Sequence, residues 1–118
     1  MMSSTMEKFI VRSNNATWIP LQESGVDTTG MFVKALKRDE AGRPESFLIK
    51  FEPGASYPYH NHPAGEELLV LEGSVQINGA LLNAGDYLYT PPGAKHGVSS
   101  EQGCVIFFIV PEEVEIIK

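Results

Sequence analysis

A chain of 118 residues with 42% hydrophobic and 20% charged residues is sized for one domain around one core. Nine basic residues against fifteen acidic ones give a formal net charge of −6. That balance excludes nucleic acid as a main partner, because neutralising phosphates needs a basic face, and it offers no polybasic segment to an anionic membrane. The longest apolar stretch, Val105 to Val110, is far short of the roughly 20 residues of a spanning helix. Residues 1–12 carry no export-signal pattern, and the single cysteine, Cys104, excludes an internal disulfide. These features point to a cytoplasmic protein.

In chain order, residues 1–29 read as an N-terminal arm, partly extended and partly loop, which Trp18 and Ile19 pack onto a barrel formed by residues 30–118. The barrel is a series of short apolar or alternating runs separated by turn residues, the pattern of an all-β sandwich or barrel. Met31 to Leu36 is the first strand, and the polar run from Lys37 to Pro44 is a solvated loop. Phe47, Ile49 and Phe51 alternate with Leu48 and Lys50, placing three large side chains on one face until Pro53-Gly54 stops the strand. Leu68 to Leu71 is apolar on both faces, as in a central buried strand. Val75 and Ile77, then Asn78-Gly79, then Leu81 and Leu82 spell a hairpin, with Asn-Gly supplying the two positive φ values of a type I′ turn. Tyr87-Leu88-Tyr89 ends at Pro91-Pro92-Gly93, and the β-branched and aromatic run Val105 to Val110 is the last strong strand. Residues 112–118 fit either a short helix or an edge strand.

All three histidines lie in or beside turn-rich segments between strands. His60 and His62 are two apart, so both imidazoles point to one face of an extended chain. Pro63-Ala64-Gly65 then turns the chain and Glu66 opens the next strand, with Leu68 and Val70 on its face; Glu67 shares its face with Leu69 and Leu71. His96 arrives from a different strand. Two imidazoles, a carboxylate and a third imidazole can converge on one ion, and neutral imidazole nitrogen with carboxylate oxygen suits zinc, iron, nickel or copper and tolerates manganese. Each histidine taken alone would more simply be a surface or hydrogen-bonded residue; the joint spacing is what makes them a site. The alternating tyrosines 57, 59, 87 and 89 fit half-buried strand positions, and Tyr57 and Tyr59, of opposite parity to His60 and His62, point away from the site on a regular strand. Phe47, Ile49, Phe51 and Phe107 read as core, some of them as the wall of a pocket. Cys104 reads as a small buried residue rather than a redox-sensitive thiol, having no basic neighbour in sequence, and Lys95 as solvent-facing.

The segment Gly54 to Glu66 (GASYPYHNHPAGE), with Gly73 seven residues on, resembles the first motif of the cupin superfamily, and Gly85 to His96 (GDYLYTPPGAKH) resembles the second. The resemblance implies a double-stranded β-helix, a jelly-roll-like barrel. It implies one divalent metal held by His60, His62, Glu66 and His96, with the spacing to Gly73 selecting Glu66 over Glu67, and turn glycines at 54, 73, 85 and 93. Ser100 stands where the second motif often has asparagine, a position that does not bind metal. Ala64 to Gly73, Pro91-Pro92-Gly93 and Gly103-Cys104 are similar to the ChrR-like cupins found as C-terminal domains of zinc-dependent anti-sigma factors, to which small acetylacetone and dihydroxyacetophenone dioxygenases are related.

Two functions follow as expectations. One is a metal-dependent (iron, zinc, manganese or nickel) enzyme, such as a dioxygenase acting on a small carbonyl or hydroxy compound held in the barrel. The other is a non-catalytic zinc-binding sensor domain. The anti-sigma relatives grip their sigma factor through an N-terminal zinc-binding domain, and residues 1–29 here hold no His or Cys. The resemblance to acetylacetone dioxygenase is to a three-histidine site, which Glu66 departs from. A homodimer is expected from the resemblance.

Overall fold

The computed structural model describes residues 5–117. Apart from two 3-10 turns, Glu7–Phe9 and Ser13–Asn15, its regular structure is antiparallel β-sheet. In chain order the strands are β1 (Ile19–Pro20), β2 (Met31–Arg38), β3 (Pro44–Phe51), β4 (Ala55–Asn61), β5 (Glu66–Ile77), β6 (Ala80–Asn83), β7 (Tyr87–Thr90), β8 (Lys95–Ser100), β9 (Cys104–Ile109) and β10 (Glu115–Ile116).

The twelve-residue β5 joins the two halves of the barrel. Its first part pairs with β9 and β7, on the side that continues through β3 and β2 to β1; its last four residues pair with β6, with Gln76 and Ile77 also paired to β8, on the side that continues through β4 to β10. Gly73 sits where the strand crosses over. Its φ is 73°, and a Cβ there would lie 2.1 Å from the Gly103 carbonyl oxygen, so no other residue fits without moving backbone. Ser100 braces the same crossing from β8, its Oγ donating to the Ser74 carbonyl at 2.6 Å. The expected hairpin forms between β5 and β6, with Asn78 at φ 48° and Gly79 at φ 84°.

Alternation along β5 buries Glu66, Leu68 and Val70. Each apolar side chain so buried contributes about 1.5–3 kcal/mol. The intervening Leu69 and Leu71 are 37% and 44% exposed, which corrects the expectation of a strand buried on both faces. β5 is central in the order of strands, but no layer among the described residues covers its outer face. Phe107 is corrected for the same reason: it lies half-buried on the outer face of β9, while its neighbours Ile106 and Phe108 enter the core. The polar run after β2 is also shorter than expected. Lys37 and Arg38 extend β2, Pro44 begins β3, and the Arg43 guanidinium turns inward to donate to the carbonyls of Val110 and Pro111, both at 2.8 Å.

The segment before β2 is held by local contacts. Ile19 pairs with Val33, the Leu21 amide donates to Met31 O at 2.9 Å, and the Lys34 ammonium sits 4.5 Å above the Trp18 ring while donating to Ser13 O. Trp18 is half-buried there, whereas Ile19 remains exposed. At the other end the chain forms an edge strand rather than a helix, with β10 pairing with β4.

Candidate metal centre

β4 and β8 place two of the imidazoles, because His60 and His96 are direct cross-strand partners. His62 follows in the β4–β5 turn, where its backbone carbonyl accepts from the amides of Gly65 and Gly93. Gly65, at φ 81°, closes this turn against Thr90, leaving no room for a side chain, and so delivers Glu66 at the start of β5. The four side chains are all buried, and one ligand atom from each lies within 4.8 Å of all the others. The three imidazole centroids are 4.4 to 4.8 Å apart. Glu67 points the other way, exposed, and accepts from the Tyr87 hydroxyl at 2.7 Å.

Backbone carbonyls fix the rings. His60 Nδ1 is 2.7 Å from Pro58 O and His62 Nδ1 is 3.2 Å from Ala94 O. A carbonyl can only accept, so Nδ1 carries the proton in each neutral ring and Nε2 presents a lone pair. Among the described residues, four buried side-chain atoms have no hydrogen-bond partner, and three belong to this cluster: His62 Nε2, Glu66 Oε1 and His96 Nε2. Glu66 Oε2 lies 3.0 Å from His62 Nε2 and Glu66 Oε1 lies 3.6 Å from His96 Nε2. With Nδ1 protonated, His62 Nε2 is an acceptor lying beside the Glu66 carboxylate, and His96 Nε2 converges on the same point; a cation there would meet all of them. The donor set therefore fits a divalent metal ion with nitrogen and oxygen ligands.

The electrostatics agree. Burial holds the pKa of His60 down to about 4 and that of His96 to about 3, the neighbouring imidazoles lowering both further, so both stay neutral and able to ligate at neutral pH. Burial also works against the charged form of His62, but the adjacent Glu66 carboxylate and the Ala94 carbonyl outweigh it and raise the pKa of His62.

A cavity of about 580 Å³ reaches the cluster, bounded by His60, Glu66 and His96 and walled by Phe47, Ile49, Phe51, Val98 and Phe108 among others. Tyr57 also lines it, against the expectation that it points away. The β4–β8 pairing slips between Tyr57 and His60, with Pro58 and Tyr59 on β4 facing Gly97 alone on β8, and this bulge turns Tyr57 onto the histidine face. Pro58, which cannot donate to a ladder, is the sequence signal for that irregularity. Tyr57 packs edge-on against His60 with centroids 4.9 Å apart and donates to Glu23 Oε2 at 2.6 Å. Burial, then the bond to Glu23, then the charges of Glu23, Glu66 and Glu113 raise its pKa, so the phenol keeps its proton. Glu23 and Glu113 also line the cavity, and sequence reasoning missed both: each comes from a segment outside the motifs.

A family model of the ChrR cupin-like domain matches residues 6–111. Over 70 residues, 54% of this chain, the sequence is 33% identical to the DNA damage-repair/toleration protein DRT102 of Arabidopsis thaliana, and the match spans 23% of that protein. Among solved structures, the chain resembles the polyketide cyclase RemF from Streptomyces resistomycificus (TM-score 0.73, 20% identity, covering 100% of this chain and 87% of that one). It also resembles a putative acetylacetone dioxygenase from Methylibium petroleiphilum (TM-score 0.79, 20% identity, 100% and 86%) and an acetylacetone dioxygenase from Acinetobacter johnsonii (TM-score 0.76, 19% identity, 100% and 83%). At these identities the structural likeness establishes the double-stranded β-helix of the cupins. With the family model spanning all of the strands but β10, the chain belongs to the ChrR cupin-like family.

Proposed function

We propose that His60, His62, Glu66 and His96 hold one divalent transition metal and that the protein is a metal-dependent enzyme of dioxygenase type, acting on a small carbonyl or hydroxy compound in the barrel. The observation that carries this reading is the cavity opening onto three of the four residues, which favours a site with exchangeable positions over a closed tetrahedral zinc shell. Iron(II), the metal we favour, would polarise a carbonyl or hydroxyl oxygen of the substrate and supply the electrons that activate dioxygen.

The chain's own residues have separate tasks. The carbonyls of Pro58 and Ala94 orient the His60 and His62 rings, a role typical of groups behind metal ligands. Tyr57 braces the face of His60, and Glu23 fixes Tyr57. Phe47, Ile49, Val98 and Phe108 exclude water and offer an apolar surface to the rest of the substrate. Anaerobic reconstitution with iron(II), followed by oxygen uptake with a panel of β-diketones and hydroxyketones, tests the assignment. Substrate-dependent uptake lost in His96→Ala supports it, and no uptake across the panel in iron-loaded protein contradicts it.

We also take residues 1–29 as an arm on a barrel of residues 30–118 and the protein as a homodimer. Support for the dimer comes from the uncovered outer face where Leu69 pairs with Tyr87 and Glu67 with Tyr89, the three apolar members being 37 to 57% exposed. Sedimentation equilibrium distinguishes dimer from monomer.

A further inference from the structure

The charged groups around the cavity are unevenly available. Glu23 and Glu113 line it alongside Glu66. Arg43 is the only lysine or arginine among its lining residues, and its guanidinium is already committed: Nη2 donates to Val110 O and Pro111 O, Nη1 to Pro44 O at 3.1 Å, and Nε to Asp39 Oδ2 at 3.1 Å. An entering molecule therefore meets carboxylates with no uncommitted lysine or arginine among the described lining residues to offset them, over walls that are otherwise mainly apolar. At the inner end, the buried and unpartnered Glu66 Oε1 and His96 Nε2 mark the metal-binding end of the cavity, where a bound ion would take the ligand's oxygen atoms.

We propose that this cavity selects an uncharged, mainly apolar ligand with a single oxygen-bearing end, and that Glu23 and Glu113 set this specificity by repelling anionic tails. The oxygen-bearing end rests on the metal reading above; the exclusion of anions by the rim does not. Glu23 is half-buried and held by Tyr57, so its charge is fixed close to the path of the ligand rather than free to swing into solvent. A cavity of about 580 Å³ accommodates a molecule well beyond the size of a two- or three-carbon acid. Like charges brought together in a partly desolvated cleft disfavour binding by about tenfold or more.

The test uses the cobalt(II)-loaded protein and one aliphatic 2,4-dione in three forms, with a plain, a carboxylate-ended and a trimethylammonium-ended chain, read by the change in the visible cobalt spectrum. The plain dione should bind at least about tenfold tighter than its carboxylate. That ratio should fall toward unity in Glu23→Gln/Glu113→Gln and fall partway in Tyr57→Phe, which frees the Glu23 carboxylate to swing toward solvent. A carboxylate form that binds as tightly as the plain one, or a ratio unchanged in the double variant, overturns the proposal. The same comparison in metal-free protein, with 2-octanone against octanoate followed by amide chemical shifts, reads the rim without the metal: preferential binding of the ketone supports exclusion and preferential binding of octanoate overturns it. Failure to take up cobalt contradicts the metal reading alone.

Discussion

His62 Nε2 and Glu66 Oε2 are 3.0 Å apart and buried, close enough for an ion pair when His62 is protonated. With the ring neutral, His62 Nε2 has no hydrogen-bond partner and is free to bind a metal. Without metal, the raised pKa of His62 lets it carry a proton that Glu66 stabilises, and a cation entering the site displaces that proton. Titrating metal into the protein near pH 6.5 in buffers of different ionisation enthalpy should therefore reveal release of up to about one proton per ion. Uptake with no proton release would mean that His62 is already neutral.

The two carboxylates at the head of β5 separate cleanly in this account. Glu66→Gln should weaken metal binding by about 100-fold, at least the upper end of what removing a mere orienting partner costs. Glu67→Gln, which alters an exposed residue bonded to Tyr87, should leave it unchanged. Competition with a chromophoric chelator measures both, and equal losses would contradict the assignment.

Acid should destabilise the metal-free protein through His60 and His96. Their folded pKa values lie near 4 and 3, below the ordinary 6.5, so the unfolded chain binds protons that the fold refuses. Their contribution is complete above the unfolded value and is lost as pH falls from about 6.5 toward about 4, each histidine contributing a slope of about 1.4 kcal/mol per pH unit. His62, with its pKa raised, acts in the opposite sense: its contribution is present below 6.5 and lost as pH rises through the folded value. Urea midpoints between pH 6 and 5 should drop steeply, and about half as steeply in His96→Gln; a flat profile in the parent protein would show that these rings titrate normally.

Backbone geometry gives a matched pair of stability tests. Gly73 and Gly79 both have positive φ, but an added Cβ at Gly79 meets nothing within 4 Å, while at Gly73 it collides with Gly103. Gly79→Ala should cost about 1–2 kcal/mol of left-handed strain, and Gly73→Ala should cost more than about 3 kcal/mol or abolish folding. Thermal melts decide, and similar losses would show that β5 can shift at the crossover.

Much of this was legible in the chain itself. The parity of Glu66, Leu68 and Val70 gave the inner face of β5, Asn78-Gly79 gave the hairpin, and the two motifs brought His60, His62, Glu66 and His96 together. Other parts depend on contacts distant in sequence. Glu23 and Glu113 reach the cavity only because their segments fold over it, and Arg43 turned inward because the carbonyls of Val110 and Pro111 needed a donor. Tyr57 defeated a parity argument because one extra residue in β4 rotates the strand. Leu69, Leu71 and Phe107 show the remaining gap: hydrophobic character along a strand does not reveal whether a second layer covers it.

The most direct test of the central claim is the metal content of protein purified without added metal, together with the coordination number of the bound ion by X-ray absorption. One divalent ion per chain is expected, bound by imidazole nitrogen and carboxylate oxygen, with more than four ligands and exchangeable solvent on the cavity side, and lost in His96→Ala. A chain that retains no metal, or a four-coordinate zinc with no solvent ligand, would contradict it.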